Sequence, residues 1–232
     1  MEISCPLPNA NKNIERKIGN ALWARWPLKT PVIKPGDYIP KIVDAATRHL
    51  RQDGDLVIIS ESVVAIAQNR AFRIIDIKPG FWANFLSDKV SKVPHGIGLG
   101  MPETMQLAIN ECGLPRILLA AVMGGLGKIF GIKGIFYHLA PQASLIDGPC
   151  PYKLPPYNQY ATLGPKNPQK FCEELSKKIG VNFAIVDAND LGTKCLGAYP
   201  EKFKKLAEEL TRDNPMGQGR EQTPIIIARK IS

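Results

Sequence analysis

The chain has 232 residues, 44% hydrophobic and 22% charged, which is enough to bury one large core or two modest ones and excludes an intrinsically disordered protein. A net charge of +9 favours anionic partners, either nucleotides, phosphorylated cofactors, nucleic acid or a membrane surface, although helical patterns such as PEKFKKLAEELTR read first as solvated faces. Cysteines at 5, 112, 150, 172 and 195 are odd in number and form no CxxC pair, so neither a disulfide framework nor a zinc site is supported and a reducing cytoplasm is expected.

Residues 1–20 read as a partly helical extension, without a signal-peptide core because Lys12, Glu15, Arg16 and Lys17 interrupt it. A strand is expected around Leu28–Ile33, then a KPGD turn, then a helix from Ile39 to Leu50 with Ile39, Ile42, Val43, Ala46 and Leu50 at helical spacing. QDGD ends it, LVIIS reads as a short buried strand, and a helix follows near PGFWANFLSDKV. HGIGLGMPETMQLAINECG is a glycine-rich turn opening a helix, with Pro102 in its first turn and Gly113 past its end. The most apolar stretch, RILLAAVMGGLGKIFGIKGIFYHLA, carries Lys128, Lys133 and five glycines and reads as buried strands at Ile117–Val122 and Ile135–His138 rather than a membrane span. A proline-rich loop from Ala140 to Pro168 precedes a regular tail: helix PQKFCEELSKKIG, strand VNFAIVD, helix PEKFKKLAEEL and strand TPIIIARKI. Mixed α and β elements follow; the sheet order does not.

AVMGGLGKIF is not a phosphate loop, because Val122 stands where glycine is needed and Ile129 where Ser or Thr is needed; a glycine-rich hairpin is the better reading. GIGLGMP lacks dinucleotide-binding spacing, though backbone N–H groups at that helix start offer an anion site. His49, His95 and His138 show no metal spacing, and there is neither a nucleophile elbow nor an HExxH. Two features carry chemistry. VDAND places Asp187, Asn189 and Asp190 at a strand end, either as hard oxygen ligands of the kind Mg²⁺ or Mn²⁺ prefers or as an ordinary capping and turn cluster. PMGQGREQTPIIIAR is a glycine-rich turn before an apolar strand, where backbone amides approach phosphate oxygens closely.

The ordered set TPVIKPGDYIPKIV, RQDGDLVIISESVVAIAQNR, GMPETMQLAI, IVDANDLG and MGQGREQTPIIIAR, spanning about residues 28 to 230, resembles the coenzyme F-420-0:glutamate ligase family. The resemblance implies an α+β fold, the F-420-0:glutamate ligase-like fold of mixed sheets with helices, over residues 21–232, and an interlocked homodimer. It also implies a GTP-dependent amide ligase that needs Mg²⁺ or Mn²⁺ and joins L-glutamate to coenzyme F-420-0 or a related phosphorylated acceptor through an acyl phosphate. Phosphoryl transfer of that kind needs a divalent metal and acids to hold it. Carried over position by position, nucleotide contacts fall on Thr30, Pro31, Val32 and Ile33, on Glu61 and Ser62, and on Met216, Gly217, Gln218, Gly219, Arg220 and Glu221. Metal contacts fall on Asp147, Asp187 and Gln218. The sequence departs from the pattern at Ala65 and Ile66, where the family has a nucleotide-contacting lysine after a serine, at Ala188, and at Cys150. Competing readings are a catalytically altered relative that binds a nucleotide or acts as a scaffold, and nucleic-acid binding resting on charge alone. A membrane partner is not expected.

Overall fold

LVII and IIIA, at the starts of LVIIS and IIIARK, are apolar on successive positions and rich in β-branched residues, the pattern of strands covered on both faces. They form the centre of a six-stranded sheet in the computed structural model, which describes residues 6–90, 98–189 and 192–232. The chain divides into two units, one of residues 1–69 with 165–232 and one of residues 70–164.

The first unit holds the sheet, built from β1 (Glu15–Ile18), β2 (Ala21–Leu28), β3 (Leu56–Ser60), β6 (Asn182–Asn189), β7 (Gly192–Tyr199) and β8 (Ile225–Lys230), in the order β1-β2-β8-β3-β6-β7. Only β3 and β6 run parallel; every other neighbouring pair is antiparallel. Side chains alternate across the sheet. Leu56 and Ile58 of β3, Ala184 and Val186 of β6 and Ile226 and Ala228 of β8 share a cluster with Ala207 and Leu210 of α8 (Lys204–Thr211). Their alternates Val57, Ile59, Phe183, Ile185, Ile225 and Ile227 are also fully buried, so each contributes about 1.5–3 kcal/mol of apolar transfer. The same unit contains α1 (Ile39–Thr47), α2 (Glu61–Ala67) and α7 (Pro168–Ile179).

The second unit contains α3 (Phe81–Ser87), α4 (Pro102–Cys112), α5 (Leu114–Ile129), α6 (Ile135–Leu139) and the two-stranded ribbon of β4 (Ala71–Arg73) with β5 (Tyr160–Thr162). Its core gathers Leu86, Met105, Leu107, Ile117, Ala120, Ile146 and Leu163.

Several expectations are corrected. The extension is not helical where it is described as regular: Glu15–Ile18 is the edge strand β1, joined to β2 through Gly19 and Asn20. The strand expected over Leu28–Ile33 ends at Leu28. The strands expected at Ile117–Val122 and Ile135–His138, and the hairpin between them, are the helices α5 and α6. A Cβ on Gly127 would lie 2.3 Å from Ile135 Cδ1, and one on Gly124 3.3 Å from Phe136 Cβ, so glycines inside α5 serve the close packing of α6. The 140–168 segment carries 3₁₀ turns at Pro141–Leu145 and Tyr157–Gln159 besides β5. Strand β7 was not anticipated. Among the described residues no single helix is long and apolar enough to cross a membrane; α4 and α5 reach that composition only together, across a 114° bend.

Candidate functional site

Register places the sequence-predicted segments at one end of the sheet. Leu28 of β2 pairs with Ile225 of β8, Ile225 with Ile59 of β3, and Ile59 with Ile185 of β6. Because β3 and β6 are parallel while β2 points the same way across antiparallel β8, the segments that leave this row do so at a common edge. Thr30–Ile33 follows β2, Glu61–Ser62 follows β3, Met216–Glu221 precedes β8, and Asp187 lies two residues beyond Ile185 in β6. Three inter-strand steps of ~4.8 Å separate β2 from β6 along this row, about 14 Å across the sheet. Backbone bonds stitch the edge: Thr30 N donates to Gln222 O at 3.0 Å and Ser60 N to Pro224 O at 2.9 Å. The carboxyl ends of parallel strands are where open α/β sheets take ligands.

Each member has a local cause. Ser60 Oγ and Ser62 Oγ are 3.0 Å apart at the start of α2, whose first residue is the buried Glu61. An acid there suits the positive end of the helix dipole. Asp187 is half-buried and stands opposite Lys194 of β7, and Asn189 Oδ1 accepts from Gly192 N at 3.2 Å where the chain turns back. In the glycine-rich loop Gly217 has φ 81, and a Cβ there would meet Glu221 Cδ at 2.5 Å. Glu221 Oε2 accepts from Gly219 N at 2.8 Å, while Gln218 and Arg220 are exposed.

The loop is held from behind. Arg25, 1% exposed, donates to Leu210 O at 2.8 Å, to Asn13 O at 2.7 Å and to both oxygens of Asp213 at 2.5 and 3.1 Å. Burial tends to raise the Asp213 carboxyl, but the hydrogen bond and charge of Arg25, with Arg16 3.0 Å away, outweigh it and hold the group below its usual range. Nothing in the sequence pattern singled out Arg25; its only signal is a charged residue in an otherwise apolar strand, ALWARWPL.

Other expected positions fall differently. Asp147 belongs to the second unit, where its backbone pairs with Thr162 and its Oδ2 accepts from Lys153 Nζ at 3.1 Å. Ala65 and Ile66 are buried in α2, so the side chains at the family's serine–lysine pair are packed into the interior. Arg70, 6% exposed, donates to Gly164 O at 2.5 Å and to Glu111 Oε1 at 2.6 Å. Asp190, His95 and the Gly96–Ile97 part of the glycine-rich turn lie outside the described residues. Two cavities, of about 300 and 350 Å³, open beside α7 in the first unit, and neither is lined by the four converging segments. Among the described residues no three His, Cys, Asp or Glu side chains converge as a preformed metal cage.

Comparison with known proteins gives the chain a family. The sequence model of the family described as F420-0:Gamma-glutamyl ligase matches residues 27–213. The chain is 31% identical over 172 residues to an uncharacterized protein of Methanocaldococcus jannaschii, covering 71% of this chain and 56% of that protein. It is 36% identical over 96 residues to a coenzyme F420:L-glutamate ligase of Methanosarcina acetivorans, covering 41% of this chain and 36% of the relative. Against the coenzyme F420:L-glutamate ligase of Methanosarcina barkeri it is 24% identical over 229 residues, covering 86% and 82%. The chain therefore spans about half the length of the first of these relatives and about a third of the second. The 216–221 loop and the first 26 residues fall outside the matched span. With well over half its length matched, the chain belongs to the F420-0:gamma-glutamyl ligase family.

Proposed function

We propose that the protein is a GTP- and divalent-metal-dependent glutamyl ligase, joining L-glutamate to coenzyme F420-0 or a related phosphorylated acceptor. The observation that carries this reading is the convergence of Thr30–Ile33, Glu61–Ser62, Asp187 and Met216–Glu221 on one sheet edge in a chain of this family. The exposed guanidinium of Arg220 offers donors and positive charge for a polyphosphate. Buried Thr30 and the Ser60–Ser62 pair border the same edge.

The donor set fits a hard cation, which takes one or two protein carboxylates and completes its shell with phosphate oxygens and water. Asp187 and the Gln218 side-chain oxygen would hold it, and the bound Mg²⁺ or Mn²⁺ would neutralise charge developing on the transferred phosphoryl group. The residues of this chain orient the nucleotide and present its terminal phosphate to the acceptor carboxylate. The test is phosphate release from GTP with Mn²⁺ and coenzyme F420-0, measured with and without L-glutamate. Glutamate-dependent release with a glutamyl product supports the reading, and its absence at saturating substrates refutes it.

The buried Ala65 and Ile66 favour one second reading, a relative that binds a nucleotide and no longer forms the amide bond. It predicts GTP binding without glutamate-dependent turnover.

The homodimer is part of the proposal. Exposed Leu119, Val122, Met123, Leu126 and Ile129 form one apolar face of α5 in the second unit, continued by Phe130 just past its end, of the kind a partner surface covers. Light scattering at micromolar protein should return twice 25.5 kDa; a monomer removes the dimer.

A further inference from the structure

Residues 9–13 touch the chain on both sides of the glycine-rich loop. Asn9 Nδ2 donates to Pro215 O at 2.9 Å and to Thr223 Oγ1 at 2.8 Å. Thr223 Oγ1 passes the contact on, donating to Met216 O at 2.8 Å. Lys12 Nζ donates to Asp213 O at 2.6 Å, and Arg25 ties Asn13 O to Asp213 in the same corner. A segment more than 200 residues away in sequence thus fastens the loop before its first residue and after its last.

The residues that Asn9 touches each follow a strained one. Asn214 and Gln222, which bracket the loop, are non-glycine residues in the left-handed region, with φ 47 and 58. Such residues hold that conformation only where surrounding contacts over-determine it. Asn9 bonds to the next residue after each: Pro215 beside Asn214, and Thr223 beside Gln222. Gly217 N donates to Asn214 O at 3.1 Å and Thr30 N to Gln222 O at 3.0 Å, so one strained residue accepts a bond from the loop and the other a bond from the segment after β2.

We infer that Asn9 is a positioning residue: through Pro215 and Thr223 it sets the shape of the 216–221 loop, and through the loop the affinity for a polyphosphate ligand. The affinity half rests on the nucleotide reading above; the positioning half does not. Neither residues 1–26 nor the loop falls in the span that the family's sequence model matches.

The test uses the full chain. Asn9→Asp keeps the size of the side chain and removes the donor. Thr223→Val removes the hydroxyl that both accepts from Asn9 and donates to Met216, and Thr223→Ser restores it. Amide hydrogen exchange without ligand should speed up at least tenfold at Gly217 and Gly219 in Asn9→Asp and Thr223→Val. It should stay near wild type in Thr223→Ser, and β3 and β6 should be unchanged throughout. Unchanged loop exchange, or an equal rise in β3 and β6, overturns the positioning role. Titration with GTP and Mn²⁺ then reads the second half, with affinity falling at least fivefold in Asn9→Asp. Faster loop exchange with unaltered GTP affinity overturns the link to the ligand. A wild type that binds no GTP overturns the nucleotide reading, while the exchange arm still decides what Asn9 does.

Discussion

Gly217→Ala tests whether the loop is built for close approach or is merely a glycine-rich turn. Two costs add. At φ 81 an alanine pays about 1–2 kcal/mol for the left-handed conformation. Its Cβ would also sit 2.5 Å from Glu221 Cδ and 2.8 Å from Oε2, so Glu221 must swing away and give up the hydrogen bond from Gly219 N. A charged hydrogen bond is worth about 1.5–3 kcal/mol, and the lower end applies because Glu221 is half-buried, giving about 2.5–3.5 kcal/mol in all. Gly54→Ala is the matched control, with φ 88 and no atom within 4 Å of the added carbon, so it carries the strain alone. Denaturant titration of both variants, with GTP affinity measured alongside, isolates the Glu221 displacement. If Gly217→Ala costs no more than Gly54→Ala and binds GTP like wild type, the loop does not need its glycine for the reason given.

Arg220→Ala should weaken GTP binding by about 1.5–3 kcal/mol, read by calorimetry, because Arg220 is the exposed cation of the loop. Arg70→Ala should instead lower the melting temperature, since its guanidinium is engaged with Gly164 and Glu111. Asp213 has a folded pKa below its unfolded one, so its stabilisation is complete above the ordinary carboxylate range and is lost as pH falls through the lower, folded value. The stability gap between wild type and Asp213→Asn should therefore shrink as denaturant titrations move from pH 7 toward pH 2; a constant gap contradicts the Arg25–Asp213 account. Burial pushes the Cys172 thiol up, and pushes Cys195 up to about 11, so neither should be alkylated in the folded protein at pH 8, as read by mass spectrometry.

The central strands were legible because their chemistry is local, whereas Thr30–Ile33 and Glu61–Ser62 were reached only through the family resemblance. Three consecutive β-branched residues, as in LVIIS and TPIIIAR, announce a strand without knowledge of partners. What was not legible depends on distant contacts. The RILLAAVMGGLG run carries glycines that weaken a helix, and the packing of Phe136 against Gly124 and Ile135 against Gly127 accounts for two of the three. Strand β1 had a readable signal, Gly19-Asn20 between two short runs, that the charged residues around it obscured. VDAND looked like the end of a strand, whereas β6 continues to Asn189 and pairs with β7 past an irregular register at Ile185 and Val186. The division into two units, with 70–164 inserted between the halves of the other, leaves no compositional mark. Arg25 shows the general case: a lone arginine in a strand gives no hint of the aspartate 188 positions later that keeps it buried.

The most direct test of the sheet edge as a nucleotide–metal site is calorimetric titration of GTP into wild type and Asp187→Asn, each with and without Mn²⁺. Wild type should bind GTP only with Mn²⁺ present, and Asp187→Asn should lose at least tenfold in affinity while keeping its fold. No detectable heat from wild type at millimolar GTP, or identical isotherms for the two proteins, contradicts the account.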